Sequence, residues 1–469
     1  MSDGARENLS PVEAEAIEIA QRLIRIDSSN YGDGSGPGER EAAELVAELL
    51  TEVGYEPTIV ESTERRTTVL LRIPGSDPTA PALVVHGHTD VVPAHAADWS
   101  IPPFAGEIAD GMLWGRGAVD MKDMLGMMLA VLRDMKRNHW QPRRDLAVAF
   151  FADEEAGGRY GSHWVVDNHP EFFEGATDAI SEVGGYSVTV NGRRVYLLQT
   201  AEKALRWMKL DAEGTAGHGS LVNHDNAITR IAGAVARIGA YEWPLHLTST
   251  VKTLLDGVAD LTGLNYDPED RESIIPLVRA LGPSSAFVEA TLATGSNPTE
   301  LGGGYKANVI PGAASASIDM RVIPGDEEDA MATVKGLAGP GVEISEINYD
   351  IGLEVPFEGD FVDSMVSSIV AEDPEAVVLP YMLSAGTDNK ALSRLGIKGY
   401  GFTPLRLPEH LDFAGMFHGV DERVPVDAMA FGVRALTNLL RNAQCGDAAH
   451  RVAVGSRVWT STRARRWTA

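Results

Sequence analysis

The chain carries two kinds of apolar pattern in turn. Ser10-Pro11-Val12-Glu13 reads as a helix start, with Ser10 as cap, Pro11 in the first turn and Glu13 able to reach back. Ala16, Ile17, Ala20, Leu23 and Ile24 follow at helical spacing. Residues 38–53 repeat that spacing and stop at Gly54, which suits a helix C-terminus. Residues 67–73, 82–86 and 145–151 are short β-branched or near-continuous apolar runs, which predict buried strands. Between them, the Met- and Leu-rich stretch 121–136 predicts a buried helix. Strands buried on both faces and alternating with helices predict the α/β class with a largely parallel sheet.

The middle of the chain reads differently. Residues 205–212 and 313–321 alternate, and 226–240 is helical. Residues 252–302 read as a helical insertion, with turn signals at Asn265-Tyr266-Asp267-Pro268 and Gly295-Ser296-Asn297-Pro298. Residues 204–323 are therefore expected to form an α+β domain inserted into the first. The expected organisation is 1–203 and 324–445 for the two parts of one domain, 204–323 for the insertion and 446–469 for a basic tail. That tail, rich in arginine, reads as a disordered extension.

Composition narrows the classes. The 469 residues are 44% hydrophobic and 23% charged, ordinary for a globular protein. Forty Lys and Arg against 67 Asp and Glu give a formal charge of −27. So acidic a chain lacks the basic face that nucleic acid needs. One cysteine, Cys445, excludes an internal disulfide and a Cys-based metal site. The start has no apolar core of a secretory signal, and no stretch is apolar enough for a membrane helix. A cytoplasmic location without membrane contact is expected.

Candidate chemistry gathers at the ends of predicted strands, where ligands of α/β sheets collect. Val84–Pro93 reads V-V-H-G-H-T-D-V-V-P; Asp90 is spaced to fix the tautomer of His88, and His86 reads as structural. G-R-G-A-V-D-M-K places Asp120 before the buried helix and lacks the third glycine of a dinucleotide loop. F-F-A-D-E-E-A-G-G brings Glu154 and Glu155 together, a repulsion that a cation would relieve. Glu182 follows the apolar run of I-S-E-V-G-G, and His418 lies in F-H-G-V-D-E-R. Two imidazoles with several carboxylates suit a pair of zinc-like ions. Asp120, Glu155 and Glu182 with one bridging hydroxide would balance two divalent ions, leaving Glu154 free to act as a base.

Together and in this order, G-H-T-D-V-V-P, W-S-x-x-P-F, G-R-G-A-x-D-M-K and D-E-E-A-G-G resemble the co-catalytic di-zinc amidohydrolases and metallopeptidases. That family holds aminoacylases, glutamate carboxypeptidase G, carnosinase-like dipeptidases, acetylornithine deacetylase and succinyl-diaminopimelate desuccinylase. The resemblance runs over about residues 10–442. It implies a zinc-peptidase-like catalytic domain with a mixed, largely parallel sheet, and an inserted lid and dimerisation domain.

It also implies roles. His88 and Glu182 would hold one Zn2+, Glu155 and His418 the other, and Asp120 would bridge them, followed by a cis peptide to Met121. Co2+ or Mn2+ could substitute. Asp90 would orient His88. Glu154 would be general base for a metal-bound hydroxide. His218, in T-A-G-H-G-S, would reach the site of a partner subunit in a homodimer. Asn308, Arg321 and the segment containing Gly386 and Thr387 would bind substrate. The implied reaction cleaves the amide bond of N-acyl amino acids or short peptides with a free carboxylate. The alternatives are a deacylase of a biosynthetic intermediate, of the acetylornithine or succinyl-diaminopimelate type, and a non-catalytic metal-binding homologue. S-E-V-G-G departs from the N-E-G-G of several branches and leaves the branch open.

Overall fold

A computed structural model describes residues 9–443. Cys445 and the basic tail lie outside them. The first helix, Pro11–Ile24, starts as expected, with the Ser10 hydroxyl accepting from the Glu13 amide and Glu13 reaching back to Ser10. The second, Arg40–Glu52, ends before Gly54, whose φ of 90° is the left-handed conformation glycine tolerates.

Ten strands form a mixed central sheet. Its middle is parallel: Ala82–His88 lies between Leu146–Phe151 and Ala176–Ser181, and Lys398–Gly401 continues parallel to Ala176–Ser181. The antiparallel pair Thr58–Thr63 and Arg66–Ile73 closes one edge. Helices Pro11–Ile24, Lys122–Arg137 and Val426–Asn442 cover one face and share one apolar core with the strands. This is the α/β class that the alternating pattern predicted.

A second core belongs to a four-stranded antiparallel sheet. Met208, Leu210 and Ala212 of strand Ala204–Glu213 and Ile318 and Met320 of Ala313–Val322 face helices Ala227–Gly239 and Glu327–Ala338. Strands Gly295–Gly303 and Glu343–Asp350 complete this sheet.

The chain divides between the two cores differently from the expectation of one insertion over 204–323. Helices Ser249–Thr262 and Arg271–Arg279 bury Val251, Leu254, Leu255, Ile274 and Leu277 in the first core, not the second. Gly257 permits this, because a Cβ there would stand 2.5 Å from Leu379 of the central sheet. Conversely, Glu343–Asp350 belongs to the second sheet although it follows residue 323. Gly295–Gly303, read as the end of the helical stretch, is an exposed edge strand. Among the described residues no helix is long and apolar enough to cross a membrane.

Candidate metal centre

Register explains why the candidate residues meet. His88 is the last residue of its strand and pairs with Phe151 of the parallel neighbour, so Glu154 and Glu155 lie one short turn beyond the same edge. Val85 pairs with Ile180 on the other side, which brings Glu182 to that edge as well. Three parallel strands thus deliver an imidazole and three carboxylates to one crevice. Asp120 enters from the loop before helix Lys122–Arg137, and the Asp120–Met121 peptide is cis. His418 comes from the far end of the chain with a φ of 57°.

The distances place Asp120 between the two imidazoles. His88 Nε2 lies 3.1 Å from Asp120 Oδ1, 3.3 Å from Glu182 Oε2 and 4.0 Å from Glu154 Oε2. His418 Nε2 lies 3.3 Å from Asp120 Oδ2 and 3.0 Å from Glu155 Oε2. One donor atom each from His88, Asp120 and Glu155, and one each from His88, Glu154 and Glu182, fall within 4.8 Å of one another. His88, Asp120 and Glu182 are buried, whereas the His418 side chain is 57% exposed and forms the open side.

The electrostatics fit a cation site. Burial would raise the Asp120 carboxyl, but hydrogen bonds with His418 and His88 hold it well below the usual range. Burial pushes Glu182 up to about 8 against the opposing pull of His88. Glu154 is driven well above the ordinary carboxylate range by burial and by the charge of Glu182. Hydrogen bonds to Asp120 and Glu155 lift His418 to about 10. Glu155 Oε1 is buried without a hydrogen-bond partner. A divalent ion would satisfy that oxygen and relieve the crowded carboxylates.

The Asp90 carboxylate is engaged mainly away from His88. The nearest acceptor to His88 Nδ1 is the Asp90 backbone carbonyl at 3.0 Å, with the carboxylate at 3.4 Å. The carboxylate instead takes the amides of Glu154 at 3.2 Å and Glu155 at 3.1 Å, and Asn30 Nδ2 at 2.9 Å. Asn30 also donates to Asp153 and accepts from Arg66, which pairs with Glu39 and Asp153. Asn30, Glu39 and Arg66 carried no motif and were not read from the sequence. His86 is structural as expected, its Nε2 2.9 Å from Asn389 Oδ1.

The chain is matched over residues 84–442 by the model of peptidase family M20/M25/M40. The chain belongs to that family. It is 28% identical over 392 residues to the probable carboxypeptidase S-like 2 of Dictyostelium discoideum, covering 79% of this chain and 73% of that one. Against aminoacylase-1 of Pongo abelii it is 27% identical over 409 residues, covering 85% and 89%. Its fold is similar to an M20 family metallo-carboxypeptidase from Sulfolobus solfataricus, with a TM-score of 0.70, 17% identity and coverage of 91% and 98%. This M20-family chain is a hydrolytic enzyme.

Of the remaining predicted residues, Arg321 lies on the second sheet, His218 and Asn308 at a separate two-stranded pair, and Gly386 and Thr387 on the loop after strand Val377–Leu383 of the central sheet. His218 is exposed on a short strand paired with Val309, and its Nδ1 lies 2.7 Å from Ser220 Oγ. Gly219 donates to the carbonyl of Asn308, so His218 and Asn308 share one corner. Arg321 is paired with Asp319 on its own strand at 2.8 Å. Thr387 is turned inward: its amide and hydroxyl both donate to buried Glu202, at 2.9 and 2.6 Å. That contact ties the loop to the central sheet, and the neighbouring Gly386 is half-buried.

Proposed function

We propose that this M20 hydrolase cleaves the amide bond of N-acyl amino acids or short peptides with a free carboxylate, at a centre of two zinc ions. The observation that carries the reading is the division of Asp120, whose oxygens face His88 at 3.1 Å and His418 at 3.3 Å. In this reading His88 and Glu182 hold one ion, Glu155 and His418 the other, and Asp120 spans both. An imidazole and carboxylate donor set suits zinc, with cobalt or manganese as substitutes. Bound there, the pair would polarise the scissile carbonyl and make a water acidic.

Glu154 is prepared to move protons. Burial and the neighbouring Glu182 raise its proton affinity, so it can take a proton from the attacking water and give it to the leaving nitrogen. Asp90 fixes its position through the Glu154 amide. In this reading the enzyme is a cytoplasmic homodimer, and the exposed His218 of the partner subunit would donate to the developing oxyanion. Arg321 would anchor the substrate carboxylate, with Asn308 and the Gly386 loop beside it. The names of the aminoacylase and carboxypeptidase relatives support this substrate class.

Chelation followed by zinc addition, read on a panel of N-acetyl amino acids and dipeptides, tests the reading. Activity should vanish on chelation and return with zinc. Glu154→Gln should lower turnover by about 10²–10⁴-fold and retain the metal. Near-normal turnover by that variant, or hydrolysis indifferent to the chelator, overturns it.

A further inference from the structure

Two segments distant in sequence build the outer half of the centre: the loop that carries Asp120 and the loop that carries His418. One carboxylate joins them. Glu422 is wholly buried. Its Oε1 accepts the backbone amides of Val119 at 2.6 Å and Asp120 at 2.9 Å. Its Oε2 accepts the Gly117 amide at 3.1 Å and Arg116 Nη1 at 2.7 Å. Arg116 Nη2 donates to the Gly419 carbonyl at 2.9 Å, next to His418, and its guanidinium lies 5.1 Å from the Trp99 ring centre. The Gly115 amide closes the clasp on the Glu422 carbonyl at 3.0 Å.

A buried ion pair is a poor choice for stability alone, since apolar packing of the same volume often serves as well. Apolar packing cannot accept three amides of the loop that aims Asp120. The clasp also acts on one half of the site. His88 and Glu182 issue from strand ends already held by the parallel ladder, whereas Asp120 and His418 sit on loops.

We propose that Glu422, with Arg116, is a positioning residue for the metal pair, holding the Asp120 carboxylate in register with His418 so that this half of the centre is preassembled. The inference rests on the two-metal reading above. Neither residue is assigned a contact with substrate. Outer hydrogen bonds to metal ligands change metal affinity by about 10–100-fold.

The test strips the full-length protein with chelator and titrates it with Zn2+, then with Co2+ followed by its visible absorption. Wild type should take two ions. Glu422→Gln, which turns an amide group toward the loop N–H donors, should weaken the ion held by Glu155 and His418 about 10–100-fold, and the ion held by His88 and Glu182, which shares Asp120, by a smaller factor. Its cobalt spectrum should reach the wild-type endpoint only at excess metal. Arg116→Lys should show the same pattern with a smaller shift, and carries the test should Glu422→Gln not fold. Two ions bound at wild-type affinity, or both weakened equally with a lower melting temperature of the metal-free form, overturn the proposal. A wild type that binds fewer than two ions instead overturns the two-metal reading.

Discussion

At the ends of the central strands, His88, Asp120 and Glu182 are buried, and the turn bearing Glu154 and Glu155 is held by Asp90 and Asn30. Away from those strand ends, His218 and Asn308 are exposed at a two-stranded pair, and on the second sheet Arg321 is paired with half-exposed Asp319. The first region is buried and cross-linked by hydrogen bonds, as suits a site that must hold like charges together. The second keeps its polar groups hydrated or loosely paired. A partly exposed pair such as Arg321–Asp319 contributes about 0–1 kcal/mol, so an incoming carboxylate can displace Asp319 at little cost. Loss of a metal ligand in the first region should therefore alter metal content, and changes in the second should alter kinetics with metal content unchanged.

The sharpest way to break this contrast is Asp120→Ala. Both ions would lose a ligand, so metal content should fall below two per chain. Turnover should drop beyond the about 10²–10⁴-fold expected for loss of one general base. Metal analysis beside kinetics reads both effects, and full metal retention would erase the distinction between the regions.

His218→Ala should lower kcat by about 10²–10³-fold with metal unchanged. If His218 acts across a dimer, mixing it with Glu154→Gln should restore activity to about a quarter of wild type, since only one site in each mixed dimer is whole. No recovery on mixing after subunit exchange would place His218 in its own chain's site.

Arg321→Ala should lower kcat/KM by about 10–100-fold, the loss of a charged hydrogen bond, mainly through KM. Asp319→Ala should move KM the other way by freeing the guanidinium. Equal kcat losses in both variants would remove the carboxylate-anchor role.

The smallest effect concerns Lys203, where the central sheet passes into the second. Burial, with the Arg321 charge adding to it, lowers its amine to about 7, and its Nζ donates to the carbonyls of Ala290 and Ala293. Between pH 7 and its unfolded value, about 10.4, the unfolded chain binds the extra proton, so this group makes stability rise with pH. Lys203→Met should flatten that rise in urea midpoints measured at pH 7 and 9. An unchanged slope would assign the rise elsewhere.

Much of the buried region was readable because its signal is local. An apolar run that stops at a cluster of acids or histidines marks a strand end, and His88, Glu154, Glu155 and Glu182 all carry that mark. Glu422 does not. It lies beside His418 in F-H-G-V-D-E-R, yet a buried carboxylate and a solvated one look alike without the tertiary partners that bury it. Asn30, Arg66 and Glu39 were invisible for the same reason. The helices between 249 and 289 show a second limit. An amphipathic pattern announces that one face is covered, but not by which core, and their position between second-sheet strands pointed to the wrong one. Strand Gly295–Gly303 escaped because its exposed Gly, Asn and Pro residues break the alternation that marks a strand.

That return of helices 249–289 to the first core means the chain passes between the two bodies four times, near residues 203, 245, 293 and 351. A body joined by two strands has one hinge, whereas this one is joined by four crossings of the chain. The second sheet is also beyond simple excision. Cutting out one continuous stretch would take part of the first core with it, so any shortened version must be spliced at four places. Loss of that helical segment should in turn expose the apolar flank of Val377–Leu383, and the two bodies are expected to unfold as one.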